Sequence, residues 1–205
     1  KRSNGKASEV ELAGFPHHAI DTYLPKLVRA GLRVAVCDQL EDPKMAKGIV
    51  KRGVTELVTP GVASNDRILE HKKNNFLAAI HEDGNVCGLA LIDISTGEFL
   101  VSQGTKEQVD KLIQNFAPSE IVYNKSQKKE FLEQYGGAYH NYGLDEWIFQ
   151  PDYARDILQK HFDVVSLKGF GIEEMPEAII AAGAAFHYAS DTRQEQLKHI
   201  SGISR

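Results

Sequence analysis

Two cysteines in 205 residues fit a disulfide-stapled scaffold, the usual support of small secreted domains with thin cores, less well than a reduced chain, and the sequence alone leaves their pairing open. Cys37 and Cys87 each lie inside an apolar run and are read as small core side chains in a reducing compartment. Long apolar stretches are missing too. None approaches the ~20 residues of a membrane span, and Lys1 to Gly5 leads into no apolar segment that could act as a secretion signal. A cytoplasmic location without a membrane partner is the expectation. A glycine-rich phosphate loop is also absent. Gly5-Lys6 is the only Gly-Lys pair followed by a small residue, Ala7, and no strand is expected before it, so no nucleotide site is read here. Internal repeats and low-complexity tracts are lacking as well.

What is present is ordinary in bulk and informative in distribution. A chain that is 42% hydrophobic and 25% charged has globular composition, enough for one large domain or two small ones. Residues 1–73 hold 13 Lys and Arg against 9 Asp and Glu, net +4, and the remainder holds 11 against 19, net −8. Any contact with a polyanion is therefore placed in the N-terminal third.

Apolar spacing gives the elements. Ala19, Ile20, Tyr23, Leu24, Leu27 and Val28 recur at helical intervals up to Gly31. Pro25 falls inside that pattern, so the helix either bends or begins its regular part near Thr22. Leu32 to Val36 reads as a strand, Ile49 to Val58 as one or two more, and Thr59-Pro60-Gly61 as a closing turn. Polar residues 63–75 form a linker. Phe76 to His81, Val86 to Ile94 and Glu98 to Ser102 follow as a meander, divided by Asp83-Gly84-Asn85 and Ser95-Thr96-Gly97. Helix and strand then alternate. Helices are expected at Val109–Phe116, Lys129–Tyr135, Tyr153–Phe162 and Pro176–Tyr188, with strands at Glu120–Tyr123 and Ala138–Tyr142. Three strands followed by helix–strand alternation is the order of a ribonuclease-H-like α/β domain.

Several strings carry a family resemblance. They are Leu12 to Ala19 (Leu-Ala-Gly-Phe-Pro-His-His-Ala), Tyr23 to Pro43, Lys47 to Gly61, Asn75 to Ile80, Leu91 to Gly97, Gly169-Phe170-Gly171 and Tyr188 to Thr192. In this order and at these spacings the chain resembles the MutS family of DNA mismatch-repair proteins over essentially its whole length. The resemblance implies a partial α/β mismatch-recognition domain at 1–62, a linker at 63–75, a ribonuclease-H-like connector domain at 76–192, and the start of the core and lever segment at 193–205. It implies a parent that is homodimeric, binds duplex DNA with mispaired or unpaired bases, converts to a clamp with ATP and Mg²⁺, recruits MutL, and works in the bacterial cytoplasm at the nucleoid. The family's ATPase and its Phe-x-Glu wedge lie outside this segment. The fragment is thus expected to be a non-catalytic interaction module that holds no cofactor or metal.

The alternative is a divalent-metal nuclease on the ribonuclease-H-like domain. That chemistry needs several carboxylates converging on ions ~4 Å apart. The spacing of Asp93, Glu98 and Asp110 forces no such convergence, and Asp93 reads more simply as a turn former. Phe131-Leu132-Glu133 matches the wedge in letters, but it belongs to an amphipathic helix, where Phe131 is a core anchor and Glu133 a solvated face. His17-His18 point about 100° apart on a helix and have no third ligand at zinc-like spacing, so they read as helix-entry packing in preference to a metal site, and Gly169-Phe170-Gly171 is a turn with an inserted aromatic. Lys47, Lys51 and Arg52 remain as the candidates for contacting the DNA backbone.

Overall fold

The computed structural model describes residues 2–3, 9–10, 14–42, 44–45, 48–63, 74–192 and 197–205. Two short strands, β1 (Arg2–Ser3) and β2 (Glu9–Val10), pair antiparallel. β1 precedes Gly5-Lys6, where no strand was expected, although Ala7 still lacks the hydroxyl that a phosphate loop places after its lysine. A 3-10 turn at His17–Ala19 opens directly into α1 (Ile20–Arg29). The helix therefore starts before Thr22 and carries Pro25 in its interior. The proline costs one backbone hydrogen bond, and burial of its ring offsets part of that loss. Gly31 ends the helix at φ +83°, a left-handed conformation that glycine adopts without strain.

β3 (Val34–Gln39) and β4 (Arg52–Val58) form an antiparallel hairpin with a register shift at Val36/Cys37. The first strand begins two residues later than the apolar pattern suggested, and the second is a single strand starting at Arg52. Among the described residues the hairpin's apolar cluster is Leu24 and Val28 of α1 packed with Val34, Val58 and Ala63. Burial alternates along β3, and Cys37 falls on its outward side with Ala35 and Gln39; it is exposed, a correction to its reading as a core side chain, whereas Cys87 is buried. Both thiols are free.

The larger unit is a five-stranded sheet covered on both faces. β5 (Phe76–Asp83), β6 (Val86–Asp93) and β7 (Glu98–Gly104) make the antiparallel meander. β8 (Glu120–Asn124) then adds parallel to β5, and β9 (His140–Leu144) parallel to β8, giving the order β7-β6-β5-β8-β9. Strand alternation divides the core. Phe76, Ala78, Ile80, Leu89, Leu91, Ile121 and Tyr123 face α2 (Lys106–Phe116) and α3 (Lys128–Tyr135), and Leu77, Ala79, Ala90, Ile92 and Val122 face α4 (Pro151–Phe162) and α5 (Pro176–Thr192). α2 begins at a full capping box, with Thr105 accepting from Gln108 N–H and the Gln108 side chain accepting from Thr105 N–H.

α5 packs unusually close to its neighbours because both contact points are glycines. A β-carbon on Gly183 would lie 2.5 Å from that of Ala154 on α4, and one on Gly88 of β6 would lie 2.1 Å from the Glu177 carbonyl group. The N-terminus of α5 is further held by Gln103 of β7, which accepts from Glu177 N–H at 2.9 Å and from Ala178 N–H at 3.3 Å. Beyond α5, residues 197–205 return to the sheet. Leu197, Ile200 and Ile203 join the α4/α5-side core, and Ser204 bonds the backbone of Phe99 and Val101 at the β7 edge.

Two histidines lie within this packing. His81 Nε2 sits 3.2 Å from Glu177 Oε2, and His187 Nδ1 is hydrogen-bonded with the Tyr153 hydroxyl at 2.6 Å. Burial lowers both imidazole pKa values despite nearby carboxylates, Asp83 and Glu82 for His81 and Asp191 for His187. For His81 desolvation outweighs the attraction of Asp83 and Glu82, which favours the neutral ring beside Glu177. A histidine with a depressed folded-state pKa gives its full stability above its ordinary value of 6.5 and loses it as pH falls below that point. Glu177, raised by burial and then by Asp83, gains stability on acidification, but one carboxyl opposes two histidines. The thermal midpoint should therefore fall between pH 7 and 5.5, and the double substitution His81→Gln with His187→Gln should flatten that slope. A flat profile in the parent chain would contradict this.

Candidate nucleic-acid interface

Of the basic candidates on the β3–β4 hairpin, Lys51 ends the connecting loop and Arg52 begins β4. Lys51 and Arg52 are both exposed, Arg52 paired across from Gln39. Lys47 lies outside the described residues. In the described part of the loop, Glu41 accepts from Lys51 N–H at 2.8 Å, and Asp42 accepts from Lys44 N–H at 2.9 Å. Asp38 accepts the Thr55 hydroxyl at 2.8 Å. Carboxylates thus interleave with Lys44, Lys51 and Arg52, so the described part of the hairpin presents separate cations rather than one positive field. Leu40, Met45 and Ile49 are exposed beside them, Ile49 at 91%.

The other sequence candidates fall elsewhere. Phe131 is buried on α3, its ring parallel to Tyr123 at 3.9 Å, and Glu133 is exposed. Asp93 is fully buried. Its Oδ1 accepts from Ser95 N–H at 2.9 Å, Ser95 Oγ at 2.6 Å and Thr96 N–H at 3.4 Å, and its Oδ2 accepts from Asn75 N–H at 2.9 Å. Glu98 instead bonds the Asn74 amide at 2.7 Å, and Asp110 takes the Tyr135 hydroxyl on the α2/α3 side. Asp93 and Glu98 are opposed across the β6–β7 ladder but bond different partners, Asp110 lies apart on α2, and among the described residues no three His, Cys, Asp or Glu side chains form a metal-sized group. His18 is exposed at the entry to α1. Gly169-Phe170-Gly171 forms a 3-10 turn ended by Gly171 at φ +72°.

The site that sequence reasoning missed is the joint between the two units. Thr59 Oγ1 donates to Glu120 Oε2 at 2.6 Å and Gly61 N–H donates to the same oxygen at 3.0 Å, while the Tyr188 hydroxyl donates to Oε1 at 2.6 Å. Beside this node the Arg33 guanidinium lies 3.6 Å from the Tyr142 ring centroid and 5.4 Å from that of Tyr188. The Tyr188 hydroxyl is pushed well above its ordinary pKa by burial and then by the adjacent Glu120, so it remains a donor. Val62, on the same turn as Thr59 and Gly61, inserts into the α4/α5-side core.

This geometry defines a two-unit α/β protein in which a small hairpin unit rides on a larger three-layer unit. Comparison with known proteins agrees with that division. The family model described as MutS domain I matches residues 1–67, and that described as MutS domain II matches residues 75–201. The DNA mismatch repair protein MutS of Cytophaga hutchinsonii is 58% identical over 205 residues, covering 100% of this chain and 24% of that protein. Those of Flavobacterium psychrophilum and Bacteroides fragilis are 56% and 53% identical, with the same coverage of both chains. The chain belongs to the MutS family and spans about a quarter of the length of these relatives. No helix among the described residues is long and apolar enough to cross a membrane.

Proposed function

We propose that this chain is the relay segment of a mismatch-repair protein, carrying the back part of the mismatch-recognition domain on a connector. The observation that carries the reading is the joint: a unit with an exposed basic hairpin is held to a larger unit by a buried hydrogen-bond node. The sheet order β7-β6-β5-β8-β9, with helices on both faces, supports a ribonuclease-H-like connector. We place its start near Asn75 and its end beyond α5, since residues 197–205 pack on it before the core segment would begin. The parent is a homodimeric, ATP- and Mg²⁺-dependent clamp on mismatched duplex DNA that recruits MutL through the connector. The segment itself binds and relays without catalysing a reaction or holding a cofactor. A nuclease reading finds no support, because Asp93, Glu98 and Asp110 are each engaged in separate hydrogen bonds.

DNA binding tests the proposal. A wedge must present its aromatic ring to a base step, and Phe131, in the only Phe-x-Glu of the chain, is packed against Tyr123 instead. Only the sequence-independent electrostatic term is then available, through about two or three phosphate contacts and a log–log salt slope of roughly −2 to −3. A duplex with a G·T mismatch and its paired counterpart should bind within about twofold of each other, since the phosphate term carries no base readout. Lys51→Glu with Arg52→Glu should weaken both alike. A mismatch preference, or binding indifferent to those two substitutions, would overturn this reading.

A further inference from the structure

Glu120 begins β8 and is only 2% exposed, yet the turn it holds belongs to a segment some sixty residues earlier. Its two oxygens receive three donors from two directions, Thr59 and Gly61 from the hairpin unit and Tyr188 from α5. Gly61 N–H can only donate, so the Oε2 position must be an acceptor. It must also be close: a β-carbon on Gly61 would lie 2.8 Å from Cβ of Glu120. The same turn is held from behind by Asn75, whose amide donates to Pro60 O at 2.9 Å and to Ala63 O at 3.2 Å. Asn75 Oδ1 in turn accepts from Ser119 Oγ at 2.6 Å, the residue before Glu120.

Among the described residues the hairpin unit has a small core of its own, Val28, Val58 and Ala63, with Leu24 and Val34 at the margin. Val62 anchors its last turn in the α4/α5-side core, and two further contacts with the connector are directional. Arg33 lies over Tyr142 and Tyr188, and Gly31 packs so close to His140 that a β-carbon there would lie 2.3 Å from Nδ1. Tyr188 takes part in both groups, offering its ring to Arg33 and its hydroxyl to Glu120.

We propose that Glu120 is the positioning residue that sets the angle of the hairpin unit on the connector, so that the unit is either seated, with the carboxylate shared between Thr59, Gly61 and Tyr188, or released. Three donors on one desolvated carboxylate favour a two-state joint, because losing one partner leaves the others buried and poorly paired. The inference deepens the relay reading, and its test measures geometry in the free chain without DNA. The proposal therefore fails or survives separately from the DNA-binding prediction.

The chain supplies its own reporters. Trp147, the only tryptophan, lies in the connector, and Cys37 is exposed on β3. Cys87 is buried, and its thiol pKa is pushed up to about 12, mainly by that burial, so a thiol-reactive acceptor dye labels Cys37 selectively. Time-resolved energy transfer from Trp147 to the dye should give one narrow distance distribution in the full chain. Glu120→Gln, which removes the charge and one of the two acceptor oxygens, and Thr59→Val, a near-isostere lacking the hydroxyl, should each raise the fraction at a second, displaced distance roughly tenfold. Combined, they should act less than additively, since both break one node. The denaturation midpoint of the connector, read from Trp147 emission, should stay unchanged in Thr59→Val. An unaltered distance distribution in Thr59→Val and Glu120→Gln would overturn the proposal. So would a fall in the connector midpoint in Thr59→Val parallel to the change in transfer, which would make the node a core contact without a positioning role.

Discussion

Replacing Gly88 with valine should remove at least about 3 kcal/mol of the larger unit's stability, beyond the usual 1–3 kcal/mol range for overpacking. The reason is where the added atoms must go. The first of them would lie 2.1 Å from the backbone carbonyl group of Glu177 and 2.6 Å from Ala178 N, with no flexible side chain to move aside. α5 would have to lift, releasing the Gln103 cap and the packing of Ala178, Ala181 and Ala182 on the sheet. In an ordinary strand, Gly→Ala gains roughly 0.5–1 kcal/mol, so even Gly88→Ala should show the opposite sign. Gly84 provides the control. It has positive φ, +59°, with open space around its α-carbon, and Gly84→Ala should cost only about 1 kcal/mol through backbone strain. Urea denaturation followed by Trp147 fluorescence gives all three values. A Gly88→Val chain as stable as Gly84→Ala would mean that α5 does not rest on β6 at this point.

The contrast between these glycines shows what was legible in the chain. Asp83-Gly84-Asn85 and Ser95-Thr96-Gly97 marked the two turns of the meander because positive φ at Gly84 and Gly97 is a local demand, written in adjacent residues. The helices of the larger unit were likewise visible as apolar spacing, although α5 runs to Thr192, past the expected end at Tyr188. Gly88 gave no such signal, since its role depends on a helix that begins at Pro176. The hairpin unit was harder for a different reason. β3 continues through Asp38 and Gln39 because Gln39 pairs with Arg52, and its burial alternates although its apolar residues run consecutively from Val34 to Cys37. That alternation turns Cys37 outward within an apolar run. Of the basic candidates, Lys51 and Arg52 stand exposed as expected, but the interleaved Asp38, Glu41 and Asp42 matter only once the hairpin is folded. The joint was the least legible. Glu120 looked like the polar first residue of a strand, and Thr59, Glu120 and Tyr188 are too far apart in sequence for spacing to connect them.

Asp93→Asn is expected to cost about 2–4 kcal/mol, the loss of charge-assisted bonds together with a buried donor left facing donors. Both oxygens of Asp93 are in use, Oδ1 by Ser95 and Thr96 and Oδ2 by Asn75 N–H. Whichever way an asparagine amide turns, its NH₂ points at a backbone N–H that can only donate. If the NH₂ faces Asn75, the connection between the first residue of the connector and the β6–β7 turn is lost. If it faces Ser95 and Thr96, the turn loses its organising acceptor. The same substitution separates this role from the nuclease alternative. A metal-binding carboxylate has lone pairs directed at an ion, and its conversion to asparagine commonly weakens metal binding more than it weakens the fold. Here the opposite is expected: a lower urea midpoint for Asp93→Asn, and no Mg²⁺- or Mn²⁺-dependent cleavage of DNA in either chain. Cleavage by the parent that disappears in an equally stable Asp93→Asn chain would show that this carboxylate serves an ion, because hydrogen bonds to Asn75, Ser95 and Thr96 alone would predict the stability loss and no cleavage to lose.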